Sequence, residues 1–109
     1  MRDAMNQTSG PPASLPALVL YGRPGCGLCD ETREIIDDLL AGRAAAGLAA
    51  PPIVERDITS DPEWERAYLL TIPVVELGER RLELATSAAQ IRALLERVLD
   101  RAPAPGAGR

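Results

Sequence analysis

The chain contains two cysteines, in Cys26-Gly27-Leu28-Cys29, and no histidine. Such a pair can exchange disulfides, supply half of a metal site, or fill space as small apolar side chains. The missing histidine excludes Ser-His-Asp and Cys-His catalysis and every zinc site that uses imidazole. Two thiols cannot close a tetrahedral zinc site within one copy, so a metal reading needs a second chain.

Position in the sequence favours redox chemistry. "ALVLY" at 17–21 is a short apolar run ending at Gly22, which predicts a buried strand. From Leu28, residues Cys29, Thr32, Ile35, Ile36, Leu39 and Leu40 recur at helical spacing. Cys26 therefore falls between a strand and a helix, where unpaired backbone N–H groups and the helix dipole favour thiolate over thiol. Arg23 can add a permanent positive charge. Asp30 and Glu31 act against it, and the balance leaves the Cys26 thiol below its ordinary range. Cys29 follows nearly one turn later on the core side, a spacing that lets the two sulfurs meet. Gly25 and Gly27 leave room for an approaching disulfide, and Pro24 stiffens the approach.

The remaining elements must hold this pair. The helix is expected to end near Gly47, before Pro51-Pro52. "PIVERDI" (52–58) reads as a second strand, and "SDPEWERAY" starts a short helix with Ser60 or Asp61 as cap and a Ser60–Glu63 capping box. "IPVVEL" and "RRLELA" read as a hairpin around Gly78-Glu79. Ser87 and Gln90 form a capping-box pattern before Ile91, Leu94, Leu95, Val98 and Leu99. The predicted class is α/β, ordered β-α-β-α-β-β-α, with a four-stranded mixed sheet flanked by helices. Residues 16–101 form the expected domain, between a polar leader at 1–15 and a Pro/Gly/Ala tail at 102–109.

Composition sets limits. The chain has 109 residues, a formal net charge of −4 and three aromatics (Tyr21, Trp64, Tyr68), so its core must be aliphatic. All twelve cations are Arg and none cluster, which argues against nucleic-acid binding. No apolar run approaches a membrane span or a signal-peptide core. The expected setting is the cytoplasm, where a Cys-x-x-Cys pair is more often catalytic or metal-binding than structural.

"YGRPGCGLCDE", with "TIPVV" at 71–75, resembles the glutaredoxins within the thioredoxin-like fold, and most of all a divergent bacterial branch of them. The resemblance spans Leu18 to Leu99. It implies a thiol–disulfide oxidoreductase with Cys26 attacking and Cys29 resolving, no tightly bound cofactor, and glutathione as co-substrate. Disulfide-containing or glutathionylated proteins would be its partners, and the chain would act as a monomer. Arg23 stands where many members carry Lys. Thr71-Ile72-Pro73 matches the family's Thr-Val-Pro, which implies a cis Pro73 beside Cys26 and a backbone edge at Ile72 for glutathione or peptide. The residues alone favour a trans proline opening a strand.

The chain also departs from that family. Gly27-Leu28 replaces the usual Pro-Tyr, and Glu83-Leu84 stands where a Gly-Gly would help hold glutathione. Thr86 and Ser87 could supply part of that grip, while Glu83 would repel a carboxylate. Two other readings therefore stay open: a thioredoxin-like reductant served by a flavoprotein reductase, and a [2Fe–2S] carrier in which Cys26 of two copies binds the cluster with two glutathiones.

Overall fold

The computed structural model describes residues 15–100; the expected leader, apart from Leu15, and the tail lie outside them. The elements are β1 (Leu18–Gly22), α1 (Gly27–Ala45), β2 (Ile53–Asp57), a 3₁₀ turn (Ile58–Ser60), α2 (Pro62–Tyr68), β3 (Val74–Leu77), β4 (Arg80–Leu82) and α3 (Ala88–Leu99). This is the predicted order.

The sheet runs β2-β1-β3-β4. β1 and β2 are parallel, with Leu20 beside Glu55, because a helix carries the chain back between them. β1–β3 and β3–β4 are antiparallel. The β3–β4 turn uses Gly78 at φ +62°, a conformation that glycine adopts without a Cβ clash.

Alternation along the strands divides the apolar side chains between the two faces. Leu18 and Leu20 of β1, with Val75 and Leu77 of β3, pack against Ile36 and Leu40 of α1 and Ile91, Leu94 and Leu95 of α3. A second cluster holds Tyr21, Val74, Ile58, Tyr68 and Ile72, together with Cys29; Cys26 and Trp64 pack against it. The larger cluster is aliphatic, as composition required. All three aromatics lie in the smaller one, with both cysteines.

Two local expectations need correction. The Ser60–Glu63 capping box does not form: Asp61 caps α2 by accepting from the Glu63 N–H at 2.9 Å. Ser60 instead closes the 3₁₀ turn, donating to the Asp57 carbonyl at 2.6 Å. The last strand stops at Leu82 rather than running to Ala85, because Leu84 turns into the left-handed region at φ +50° and breaks the extended chain. Arg43, in the last turn of α1, is only 8% exposed although it is charged. It donates to the Ala49 carbonyl at 2.5 Å and makes a two-pronged pair with Asp100 at 2.5 and 3.0 Å, tying the ends of α1 and α3 together.

Candidate active site

Cys26 is the N-cap of α1. Its backbone is extended (φ −95°, ψ 103°), and its Sγ accepts the Cys29 N–H at 3.1 Å. A side-chain acceptor at this position satisfies one of the first-turn N–H groups that the helix leaves open. The same N–H favours negative charge on that sulfur once the disulfide is reduced. Cys29, one turn on, is 6% exposed, whereas Cys26 is half-buried. The two are joined as a disulfide with Cα atoms 5.2 Å apart, within the ordinary range. The expected division into an accessible and a sheltered sulfur matches this placement.

The Ile72–Pro73 bond is cis, as the family resemblance implied, and Pro73 is fully buried. Ile72 shares the apolar cluster of the cysteines. Two short bridges tie this segment down: the Leu84 N–H donates to the Thr71 carbonyl and the Ala85 N–H to the Pro73 carbonyl, both at 2.8 Å. A third bond reaches the active-site helix, where the buried Thr32 hydroxyl donates to the Ala85 carbonyl at 2.7 Å. Segment 84–85 is thus a clamp between α1 and the cis-proline turn. The apolar spacing of α1 included Thr32, but only its partner 53 residues away reveals the hydroxyl's role.

The backbone edge expected at Ile72 is half engaged within the chain. Its N–H donates to the Tyr68 carbonyl at 3.0 Å. Thr71 turns inward as well, with both N–H and hydroxyl directed to the Tyr68 carbonyl. Ser87 caps α3, its hydroxyl oxygen accepting the Gln90 N–H at 3.2 Å, and Thr86 is exposed beside it. Arg23 is exposed and Gly25 adopts φ +79° in the loop before Cys26.

Gly22 is a functional position that spacing did not single out. A Cβ there would stand 3.1 Å from both Cβ and Sγ of Cys29. The end of β1 is therefore bare so that the resolving sulfur can nest against it. Beyond it opens a charged cleft of about 580 Å³ that Cys29 lines with Gly22, Arg23, Arg33, Glu55 and Asp57. Arg33 spans it by pairing with both Asp37 of α1 and Glu55 of β2. Arg56 also lines this cleft, so the buried Cys29 stands between it and the aromatic cluster.

On the aromatic side, Tyr21 packs on Tyr68 at 4.6 Å and edge-on to Trp64 at 5.7 Å. Arg56 lies over Tyr21 and Trp64. Both tyrosine hydroxyls donate to Glu76, at 3.2 and 3.4 Å. Burial, and then the Glu76 charge, push the Tyr21 phenol above its ordinary range. An aromatic wall supplied by β1 and α2 therefore stands in the cluster of the disulfide, although the pair between the cysteines carries none. Among the described residues no group of three His, Cys, Asp or Glu is arranged to hold a metal ion, and no helix is long and apolar enough to cross a membrane.

Comparison with known proteins agrees with this geometry. The structural-genomics target protein XcR50 from X. campestris is similar at 32% identity and TM-score 0.59, over 79% of this chain and 99% of that one. The germline-specific thioredoxin Deadhead from Drosophila melanogaster shares the fold at 15% identity and TM-score 0.55, over 79% of this chain and 83% of its own. No curated protein matches in sequence. The family model of the glutaredoxin-like domain (DUF836) matches residues 17–98, and with a cis Ile72-Pro73 bond whose Ile72 shares the apolar cluster of the Cys-x-x-Cys pair, the chain belongs to that family.

Proposed function

We propose that this protein is a thiol–disulfide oxidoreductase that reduces disulfides of proteins, glutathionylated cysteines included, through Cys26 and Cys29. The observation that supports it most is the placing of Cys26: half-buried, at a helix start, its sulfur accepting the N–H of the residue that resolves it. The Cys26 thiolate attacks one sulfur of the target disulfide and bonds to it, and the other target sulfur leaves as thiolate and takes up a proton. The Cys29 thiolate then attacks Cys26 Sγ. That step releases the second target thiol and leaves the Cys26–Cys29 disulfide. Two electrons pass from the dithiol to the target, and two thiols of glutathione, or a dithiol reductase, return them. One chain supplies both sulfurs, so a monomer working in the cytoplasm without a resident cofactor suffices.

The Cys29→Ser variant tests this directly. Incubated with a small aromatic disulfide, it should gain one adduct, on Cys26, that persists because nothing resolves it. The rate should rise with pH through a midpoint below the free-thiol value of about 8.5. A Cys26 that resists both this disulfide and a small alkylating agent would sink the proposal.

A further inference from the structure

Three leucines are exposed on the segments that carry the disulfide and the cis-proline turn: Leu70 (86%), Leu84 (54%) and Leu28 (51%). Leu28 sits between the cysteines on the first turn of α1. Leu70 immediately precedes Thr71-Ile72-Pro73, and Leu84 is bonded to Thr71 through its N–H. Single exposed leucines are ordinary; three on the segments framing one reactive sulfur call for a reason.

Leu84 carries a second, independent observation. It is the one non-glycine among the described residues with positive φ. Glycine would take that conformation at lower cost. The chain instead accepts the strain and leaves an apolar side chain half exposed to solvent.

Charge points the same way. The framing stretches 23–31, 69–73 and 83–87 contain one cation, Arg23, against Asp30, Glu31 and Glu83. Glutathione carries two carboxylates and one ammonium group and has no apolar side chain beside its cysteine. It would meet an excess of acid here and cover little of the leucine surface. An extended polypeptide with apolar side chains brings neither problem.

We propose that Leu28, Leu70 and Leu84 form an aliphatic rim that selects, as substrate for Cys26, the disulfide of a polypeptide whose cysteine is flanked by apolar side chains, in preference to a glutathione mixed disulfide. This rests on the oxidoreductase reading and names its substrate class.

The test uses fully reduced protein and three mixed disulfides that share one coloured aromatic thiol: glutathione, blocked Gly-Cys-Gly and blocked Leu-Cys-Leu. The Cys26 thiolate bonds to the peptide sulfur, the aromatic thiolate leaves with the electron pair of the broken bond, and Cys29 displaces the peptide thiol. Partial burial of two leucines should make Leu-Cys-Leu about tenfold faster than Gly-Cys-Gly, with glutathione slowest. Leu84→Asn, which tolerates the left-handed backbone, and Leu28→Asn should each cut the Leu-Cys-Leu to Gly-Cys-Gly ratio about threefold. Equal rates for the two peptides, glutathione as the fastest probe, or variants that leave the ratio unchanged would overturn the inference while the oxidoreductase reading stands. Protein inert to all three probes would overturn both. A wild-type dimer that Leu84→Asn converts to monomer would assign the rim to a second copy and likewise overturn it.

Discussion

Gly22 and Cys29 are in contact across the end of β1, close enough that an added Cβ would lie 3.1 Å from the sulfur. The buried cysteine therefore owes its position to a missing side chain on the neighbouring strand. Gly22→Val should cost about 1–3 kcal/mol by overpacking. It should also slow release of the trapped target, the step Cys29 performs, more than the first attack by Cys26. Single-turnover kinetics that resolve adduct formation from adduct decay would measure the two steps. Equal slowing of both would mean that the contact is packing alone.

The clamp between α1 and the cis-proline turn predicts a specific effect at Thr32. Thr32→Val keeps the shape but leaves the buried Ala85 carbonyl without its donor, at a cost of about 1–2 kcal/mol. Thr32→Ser should recover most of the loss. Denaturant unfolding of the three proteins gives the energies, and hydrogen exchange at the Leu84 and Ala85 amides should quicken in the valine variant only.

Arg43 and Asp100 should give the stability curve part of its acid limb. The Arg43 hydrogen bonds hold the Asp100 carboxyl below its ordinary value. The unfolded chain therefore binds this proton first as pH falls, and the contribution is complete above the unfolded value of about 3.9 and lost as pH drops through the folded one. Arg43→Met should cost about 2 kcal/mol near neutrality, less than for a fully buried pair because Asp100 is partly solvated. Thermal melts of the wild type and Asp100→Asn should converge in acid. A constant gap across that range would remove the ion pair as the cause.

Tyr21 should contribute at the opposite end. Burial and Glu76 keep its phenol protonated to higher pH than in the unfolded chain. Stability from this source is whole below about pH 10 and falls as pH rises through the folded value. Glu76→Gln should lower the Tyr21 midpoint in an ultraviolet titration and leave it above the free-tyrosine value, since burial remains. A midpoint unchanged by the substitution would mean that the carboxylate has no part in it.

Much of this protein can be read along the chain because the relevant forces act locally. The helical spacing from Leu28 to Leu40, the Ser87 cap and the Gly78-Glu79 turn each follow from residues within one turn of one another, and all are present. The placing of Cys26 at a helix start has the same origin, as does the sheltering of Cys29 on the apolar face. The cis Pro73 was legible only through the family resemblance, since the residues alone favour the trans form at the start of a strand.

What the tertiary structure alone decided depends on partners distant in sequence. Thr32 acquires its role from Ala85, Arg43 from Asp100, and Gly22 from the sulfur that packs against it. Leu84 leaves the strand because its amide bonds to Thr71. Each is a contact between elements whose approach is set by burying two apolar clusters on opposite faces of one sheet. Periodicity determines which side chains face inward; only the packed sheet determines which of them meet.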